Sequence, residues 1–368
     1  MYITLYKSNQ TQQQLNYDDI LNTNTNNTTI QHYKLTIKID NPNPLTTEHQ
    51  QKIQTLAEYI QQAYSILEPF KENYEQQYYE FKIPKRSGGL RTINAPLPEF
   101  KQALSKVKDI FEQNLKCLSH DSAYAYTKQR SIQDALVKHK NNNSNWFLKI
   151  DLTNFFPSCT PDFIYTTLTQ LYPFYYFNTQ TKFWLKEIVK ICCLNGGLPQ
   201  GTPMSPLLTN LCMVPYDYLI SDLLKRGTGE HYVYTRYADD ILISSKSAFN
   251  WQQIQTLISG ILRPFQINTT KTRYGSRAGR NWNLGLMLNK DNNITLGHQK
   301  KKTLNAMLNN LLKDFKNNIR WSKEDVWATQ GQLSYLKHIE PEYYNYMLQK
   351  YEAKYDLDYK SVLKILLN

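Results

Sequence analysis

His231-Tyr-Val-Tyr-Thr-Arg-Tyr-Ala-Asp-Asp-Ile-Leu-Ile-Ser244 sets two adjacent carboxylates, Asp239 and Asp240, inside a run otherwise built like a pair of β-strands. Neighbouring carboxylates repel, and burying them is costly unless a cation neutralises them. At a hairpin tip between apolar strands they suggest a divalent metal site made of oxygen ligands. An ordinary acidic turn is the plain alternative, so the choice depends on what accompanies the pair.

Upstream, Trp146-Phe-Leu-Lys-Ile-Asp151 is a short apolar, β-prone run that ends in a single carboxylate and continues Leu-Thr-Asn-Phe155-Phe156-Pro. A strand delivering Asp151 beside the hairpin carboxylates would create an oxygen cage for two Mg²⁺ ions, roughly 3.5 to 4 Å apart, able to clamp an in-line phosphoryl transfer. Between the two runs lies Gly197-Leu-Pro-Gln-Gly-Thr-Pro-Met-Ser-Pro206, a Gly/Pro-rich loop opening onto Leu207-Leu-Thr-Asn-Leu-Cys-Met, which reads as a helix. Pro and Gly set a defined turn there and leave backbone close to whatever binds.

Taken in order, Phe-Leu-Lys-Ile-Asp-Leu-Thr-Asn-Phe-Phe-Pro-Ser, Leu-Pro-Gln-Gly-Thr-Pro-Met-Ser-Pro and Tyr-Ala-Asp-Asp resemble the palm of a reverse transcriptase. The resemblance extends from about Phe81 to Lys350. Phe81-Lys-Ile-Pro-Lys85-Arg86-Ser-Gly-Gly-Leu-Arg91-Thr-Ile-Asn-Ala-Pro96 looks like the fingers segment that meets the incoming triphosphate, with three cations around a glycine turn. Ala123-Tyr-Ala-Tyr-Thr-Lys128-Gln-Arg130-Ser131-Ile-Gln-Asp-Ala135 resembles the second fingers block, which tracks the template, with Tyr124 or Tyr126 as candidate base platforms. Leu262-Arg-Pro-Phe-Gln-Ile-Asn268-Thr-Thr-Lys271-Thr looks like the palm segment whose lysine faces the leaving pyrophosphate. Asn283-Leu-Gly285-Leu-Met-Leu-Asn resembles the primer-grip hairpin, and Lys300 to Lys350 reads as a helical thumb with Gly331-Gln-Leu-Ser-Tyr-Leu-Lys at a helix junction.

The resemblance implies an α+β right-hand polymerase fold: fingers, a palm of antiparallel sheet plus helices, and a helical thumb. It implies an RNA-directed DNA polymerase working on dNTPs with an RNA template, a DNA product and two Mg²⁺ ions, Mn²⁺ being a substitute. Asp151 and Asp239 would hold the metals, with Asp240 adjacent and the Leu152 carbonyl as a further ligand. Lys85 and Arg91 would grip the β and γ phosphates, and Lys271 would protonate the leaving group. Gln200 and Gly201 would floor the nucleotide pocket, and Lys128, Arg130 and Tyr237 would contact nucleic acid. Phe156, five residues past Asp151, matches the sugar-gate position, where a ring under C2′ leaves no room for a hydroxyl. The other member of the Phe155-Phe156 pair suits core packing. This gate favours DNA synthesis over an RNA-dependent RNA polymerase, and the intact carboxylates disfavour an inactive nucleic-acid-binding module.

Within the family, Gln200-Gly-x-x-x-Ser205-Pro206 fits retron and group II intron types. The retron Asn-Ala-x-x-His block appears only as Asp134-Ala-Leu-Val-Lys-His139, one residue longer, and Val-Thr-Gly is replaced by Asn283-Leu-Gly285. These departures tilt the expectation towards a defence-associated bacterial or phage enzyme, with a retron enzyme and its structured non-coding RNA second. A defence partner protein is a further candidate; nothing specifies the oligomeric state.

The chain has 368 residues, 41% of them hydrophobic, enough for two or three subdomains around a sizeable core. Its net charge of +12 suits a polyanionic partner. Twenty-eight tyrosines serve strands or base stacking equally well. Five cysteines (Cys117, Cys159, Cys192, Cys193 and Cys212) lack Cys-x-x-Cys spacing, which argues against zinc or a disulfide framework and fits a reducing cytoplasm. No signal peptide or long apolar span is evident, so no membrane partner is expected. The expected organisation is an Asn/Gln/Thr-rich extension over 1–47 with strands at Tyr2–Tyr6 and Tyr33–Ile39, an N-terminal helix and fingers over 48–145, palm with interleaved fingers over 146–298, and thumb over 299–368. The N-terminal helix is expected from Thr46 through about Tyr78, with Ile53, Leu56, Ile60, Tyr64 and Leu67 on one face.

Overall fold

The computed structural model describes residues 2–7, 33–38, 47–85, 88–114, 119–226, 231–262, 265–278, 280–282 and 285–368. Arg86, Cys117, Asn283 and Leu284, which figure in the sequence expectations, lie outside them. Strands β1 (Tyr2–Lys7) and β2 (Tyr33–Lys38) pair antiparallel at the expected places. Helix α1 (Thr47–Leu67) buries Leu56, Ile60, Tyr64 and Leu67, as its period requires. It stops well short of Tyr78. Pro69 lacks an N–H and crowds the residue before it, so the chain continues in two 3₁₀ turns, Glu68–Phe70 and Tyr74–Gln77.

The fingers hairpin follows as β3 (Tyr78–Pro84) and β4 (Leu90–Pro96), antiparallel with Ile83 opposite Arg91. Gly88 and Gly89 turn it at φ +86° and +80°, a conformation glycine adopts without a Cβ clash. Then come α2 (Pro98–Asn114), α3 (Ile132–Asn141), β5 (Trp146–Thr153), α4 (Pro161–Leu168), α5 (Thr179–Ile191) and α6 (Met204–Arg226). The carboxylate hairpin is β6 (Val233–Tyr237) and β7 (Asp240–Ser245), followed by α7 (Trp251–Ile261), β8 (Gln266–Ile267), β9 (Arg273–Ser276), β10 (Met287–Leu288) and β11 (Ile294–Thr295). Helices α8 (His298–Lys316), α9 (Lys323–Ile339), α10 (Pro341–Tyr355) and α11 (Tyr359–Leu367) close the chain.

Packing divides the chain into two units. The first comprises residues 1–130, 148–243 and 250–273. In it α1 packs on α5 and α2 over a core that includes Ile60, Leu67, Phe100, Leu104 and Ile188. The central sheet has the order β6-β7-β5-β8, with β9 also on β5, so the strand ending near Asp151 is next to the hairpin that carries Asp239. The second unit comprises residues 131–147, 244–249 and 274–368. Its helices α8 to α11 meet through Leu304, Leu308, Leu333, Leu336 and Met347. Glu340 ties this bundle together, accepting from Thr295 Oγ1, the Leu296 N–H and Lys301 Nζ at 2.8–2.9 Å. No described helix is long and apolar enough to cross a membrane.

Candidate active site

Strand β5 brings its carboxylate in between two other backbone segments. The Leu152 N–H donates to the Asp239 carbonyl at 3.2 Å, and the Asn268 N–H donates to the Asp151 carbonyl at 2.8 Å. Asp151 and Asp239 therefore line one cleft, together with Leu152 and Lys271. Lys271 Nζ reaches both Asp151 carboxylate oxygens, at 3.2 and 3.3 Å.

Asp239 sits in a two-residue turn whose first residue, Ala238, has φ +56°. A left-handed alanine is strained and persists only where its surroundings fix it. Arg236 does the fixing: its Nη1 donates to the Ala238 carbonyl at 3.1 Å. The guanidinium is fully enclosed, bidentate on Asp217 of α6 through Nε at 2.8 Å and Nη2 at 2.7 Å, and also bonded to the Asn210 side chain. Tyr234 donates to the same Asp217 carboxylate. Sequence reasoning passed over this cluster, because nineteen residues separate Arg236 from Asp217 and the pairing arises only when α6 packs against β6.

The two carboxylates of the doublet part company. Asp240 begins β7 and accepts from Lys149 Nζ at 2.8 Å, both side chains being mostly buried, and it does not line the cleft. Lys149, two residues before Asp151, was another residue without a signal in the sequence. Asp239 carries a pKa raised above the ordinary carboxylate value, first by burial and then by the charges of Asp240 and Asp151. Among the described residues no group of three or more His, Cys, Asp or Glu side chains is arranged to hold a metal by itself. Of the three carboxylates singled out in the sequence, Asp151 and Asp239 line the cleft and Asp240 is turned to Lys149. Two carboxylates facing one cleft still suit Mg²⁺, which usually takes one or two from protein and the rest of its shell from substrate phosphates and water.

The remaining walls of this cleft of about 970 Å³ come from the fingers hairpin and the Gly/Pro loop. Lys85, Arg91, Gln200, Gly201 and Phe156 all line it, as expected. The Asn94 N–H donates to the Gln200 carbonyl at 2.9 Å, fastening the loop to β4. Gly201 has φ +116°, and a Cβ there would come within 2.8 Å of Ile93 and 3.2 Å of the Asn94 carbonyl, so only glycine fits. Both rings of the double phenylalanine line the cleft, Phe155 buried against Phe265 and Phe156 half-buried.

The template-tracking residues fare differently. Arg130 is committed to its own loop, its Nη1 bonded to the carbonyls of His120 and Ala123 at 2.7 and 2.9 Å and its guanidinium over the Tyr124 ring. Those bonds clamp the loop, and the partly exposed guanidinium is the group the sequence expectation sets on nucleic acid. Lys128 is exposed and pairs with Glu112 at 3.0 Å, and Tyr237 ends β6; neither lines the cleft. Of the two tyrosines, Tyr124 is buried and Tyr126 lines the cleft.

In the second unit, the block that departs from the retron pattern has a structural task. Asp134 closes a capping box with Ser131 at the start of α3. His139 is buried, with Nδ1 2.6 Å from Ser244 Oγ, which in turn donates to Ser144 Oγ at 2.7 Å. Burial, and to a lesser degree Lys138, pushes the His139 pKa down to about 3. The ring stays neutral in the fold, so as pH falls below ~6.5 the unfolded chain takes up the proton first. Its contribution is complete above that pH and is lost towards pH 3, with a slope approaching ~1.4 kcal/mol per pH unit. The melting temperature of the native protein is expected to fall more steeply between about pH 7 and pH 4.5 than that of His139→Gln. Parallel curves would assign the acid sensitivity to another group.

Comparison with known proteins agrees with this geometry. The profile of the reverse transcriptase (RNA-dependent DNA polymerase) family matches residues 83–336. The chain is 28% identical over 307 residues to the retron Ec83 reverse transcriptase of Escherichia coli, covering 79% of this chain and 93% of that protein. It is 30% identical over 281 residues to the retron Ec73 reverse transcriptase of the same organism, covering 74% and 86%. Among solved structures, apo telomerase from Candida tropicalis covers 80% of this chain and 61% of its own at 12% identity and a TM-score of 0.49, a likeness too weak to argue from. The family match across the cleft-forming segments, together with the retron relatives, outweighs the departures at 134–139, which serve a helix cap and a buried core. The chain belongs to the reverse transcriptases, RNA-directed DNA polymerases, and within them to the retron type.

Proposed function

We propose that this enzyme copies a structured non-coding RNA into DNA, with Asp151, Asp239 and the Leu152 carbonyl holding Mg²⁺. The observation that carries the site assignment is that Asp151, Asp239, Lys85, Arg91, Lys271 and Phe156 line one cleft. When bound there, a Mg²⁺ pair lowers the pKa of the primer 3′ hydroxyl and neutralises charge on the departing pyrophosphate. Lys85 and Arg91, flanking the fingers turn, grip the β and γ phosphates by charge-assisted hydrogen bonds. Lys271, bonded to Asp151 yet largely exposed, is free to swing towards the leaving group and donate a proton. Gln200 and Gly201 floor the nucleotide pocket, and the Phe156 ring occupies the space a ribose 2′ hydroxyl would need. Asp240 and Lys149 support the turn from behind.

The retron relatives support the choice of template, and sequencing of nucleic acid co-purified with the protein tests it. One structured RNA, together with DNA complementary to part of it, is the expected result. A heterogeneous RNA population with no matching DNA would remove the retron-type template. A role in anti-phage defence and a cytoplasmic location belong to the same proposal, and phage plating efficiency with native enzyme against Asp239→Asn tests the former.

A further inference from the structure

Tyr126 is held in an unfavourable conformation at the mouth of the cleft. Its φ is +58°, where an aromatic residue's Cβ is crowded by its own backbone. The segment before it is stitched down on both sides. The Tyr124 N–H donates to the Arg236 carbonyl at 2.9 Å, and the Ala125 carbonyl accepts from Asn210 Nδ2 at 2.7 Å and from Thr127 Oγ1 at 3.2 Å. Asn210 is the same side chain that receives Arg236, so the strap carrying Tyr126 and the turn carrying Asp239 share one buried scaffold. Strain maintained this way at a reaction site points to a purpose for the ring.

That purpose is visible in what the ring touches. Tyr126 meets Phe156 edge to face, centroids 6.3 Å apart at 61°, and Phe155 meets Phe156 at 5.7 Å and 69°. Phe155 is itself fixed in the core against Phe265. Phe156 therefore stands between one ring anchored in the core and one anchored by the strap. Burial raises the pKa of the Tyr126 hydroxyl first, Asp239 and Tyr237 raise it further, and Arg91 opposes them. A steric gate discriminates only as long as its wall keeps its place. A half-buried phenylalanine with one side open would rotate away from a 2′ hydroxyl instead of rejecting it.

We propose that Tyr126 is a positioning residue for sugar selection, its ring bracing Phe156 so that the gate stays shut to ribonucleotides; this rests on the assignment of Phe156 as the gate. The alternative task for an exposed aromatic in a polymerase cleft is to stack on a base. Stacking would affect dNTP and rNTP alike, whereas bracing affects their ratio.

The test uses the full-length protein on poly(rC) primed with oligo(dG), comparing kcat/KM for dGTP and GTP. Phe156→Ala is expected to raise relative GTP use by on the order of 100-fold, and Tyr126→Ala by about 10-fold, within the range available to steric pocket contacts. Tyr126→Gly removes the ring while relaxing the backbone at positive φ, so it should match Tyr126→Ala even if the alanine variant folds poorly. Tyr126→Phe keeps the brace and should keep the native ratio. Because Tyr126 acts through Phe156, adding Tyr126→Gly to Phe156→Ala should relax selection no further. If Phe156→Ala leaves the ratio unchanged, the gate assignment itself fails. If Phe156→Ala relaxes it while Tyr126→Gly and Tyr126→Ala only raise KM equally for both nucleotides, the brace alone is overturned.

Discussion

Asp239→Asn is expected to lower Mg²⁺-dependent dNTP incorporation by on the order of 10³-fold, about 4 kcal/mol of transition-state stabilisation, while the metal-free protein melts at the same temperature or higher. The two effects share one cause. The Asp239 carboxylate is largely buried beside Asp240 and within reach of Asp151, and its pKa is raised accordingly. A raised carboxylate pKa in the fold means that ionisation at neutral pH costs stability, and that cost fades as pH falls through the raised value. Asparagine keeps the shape and removes the charge, so it relieves the repulsion and at the same time abolishes the attraction for cations. Asp151→Asn should lose activity comparably without the gain in melting temperature, because the Lys271 contact weakens with it. That exposed pair contributes little, so the thermal difference between the two variants should be small. Undiminished incorporation by either variant would falsify the assignment of the cleft.

The parts of this site that could be read from the chain are those set by short spacing. Asp151 and Phe156 lie on one strand and its exit, and Asp239 sits in a two-residue turn, so residue type and offset were enough to aim them at the same cleft. Gly201 was legible for a similar reason: a glycine between a glutamine and a threonine in a Pro-rich loop signals backbone that must come close to something, here β4. What could not be read is partner choice. Arg130 read as a residue in contact with nucleic acid, and the sequence held no sign that its guanidinium also holds the carbonyls of its own loop. Asp240 was legible as the carboxylate adjacent to Asp239, but not as the partner of Lys149, where β7 places it. The end of α1 was overrun because helical periodicity was followed past Pro69, whose geometry overrides it. His139 entered the sequence reading only as the end of a block one residue longer than the retron pattern, and its burial against Ser244 is a tertiary fact with no local trace.

The largest expected effect on stability falls on a residue that no motif reading selects. Arg236→Met should destabilise the fold by about 3–5 kcal/mol, since it leaves Asp217 charged and buried with its guanidinium partner gone. That is a large fraction of the roughly 5–15 kcal/mol a domain has in hand. Urea unfolding of the native protein and the variant, followed by tryptophan fluorescence, would measure it. A loss of stability alone does not reveal whether Arg236 matters to catalysis, because an unfolded polymerase is also inactive. Replacing the ion pair and the tyrosine hydroxyl bonded to it by apolar groups separates the two. In Arg236→Met, Asp217→Leu, Tyr234→Phe no charge is left unpaired, so much of the stability should return. The Ala238 carbonyl, however, would still lack its donor, and the left-handed turn that presents Asp239 would be free to relax. Misplacing a catalytic group by about 1 Å can cost on the order of 100-fold in rate, and the triple variant is expected to be folded yet slower by that order. If it regains both stability and full kcat, the turn holds its shape without Arg236, and the buried ion pair serves the fold alone.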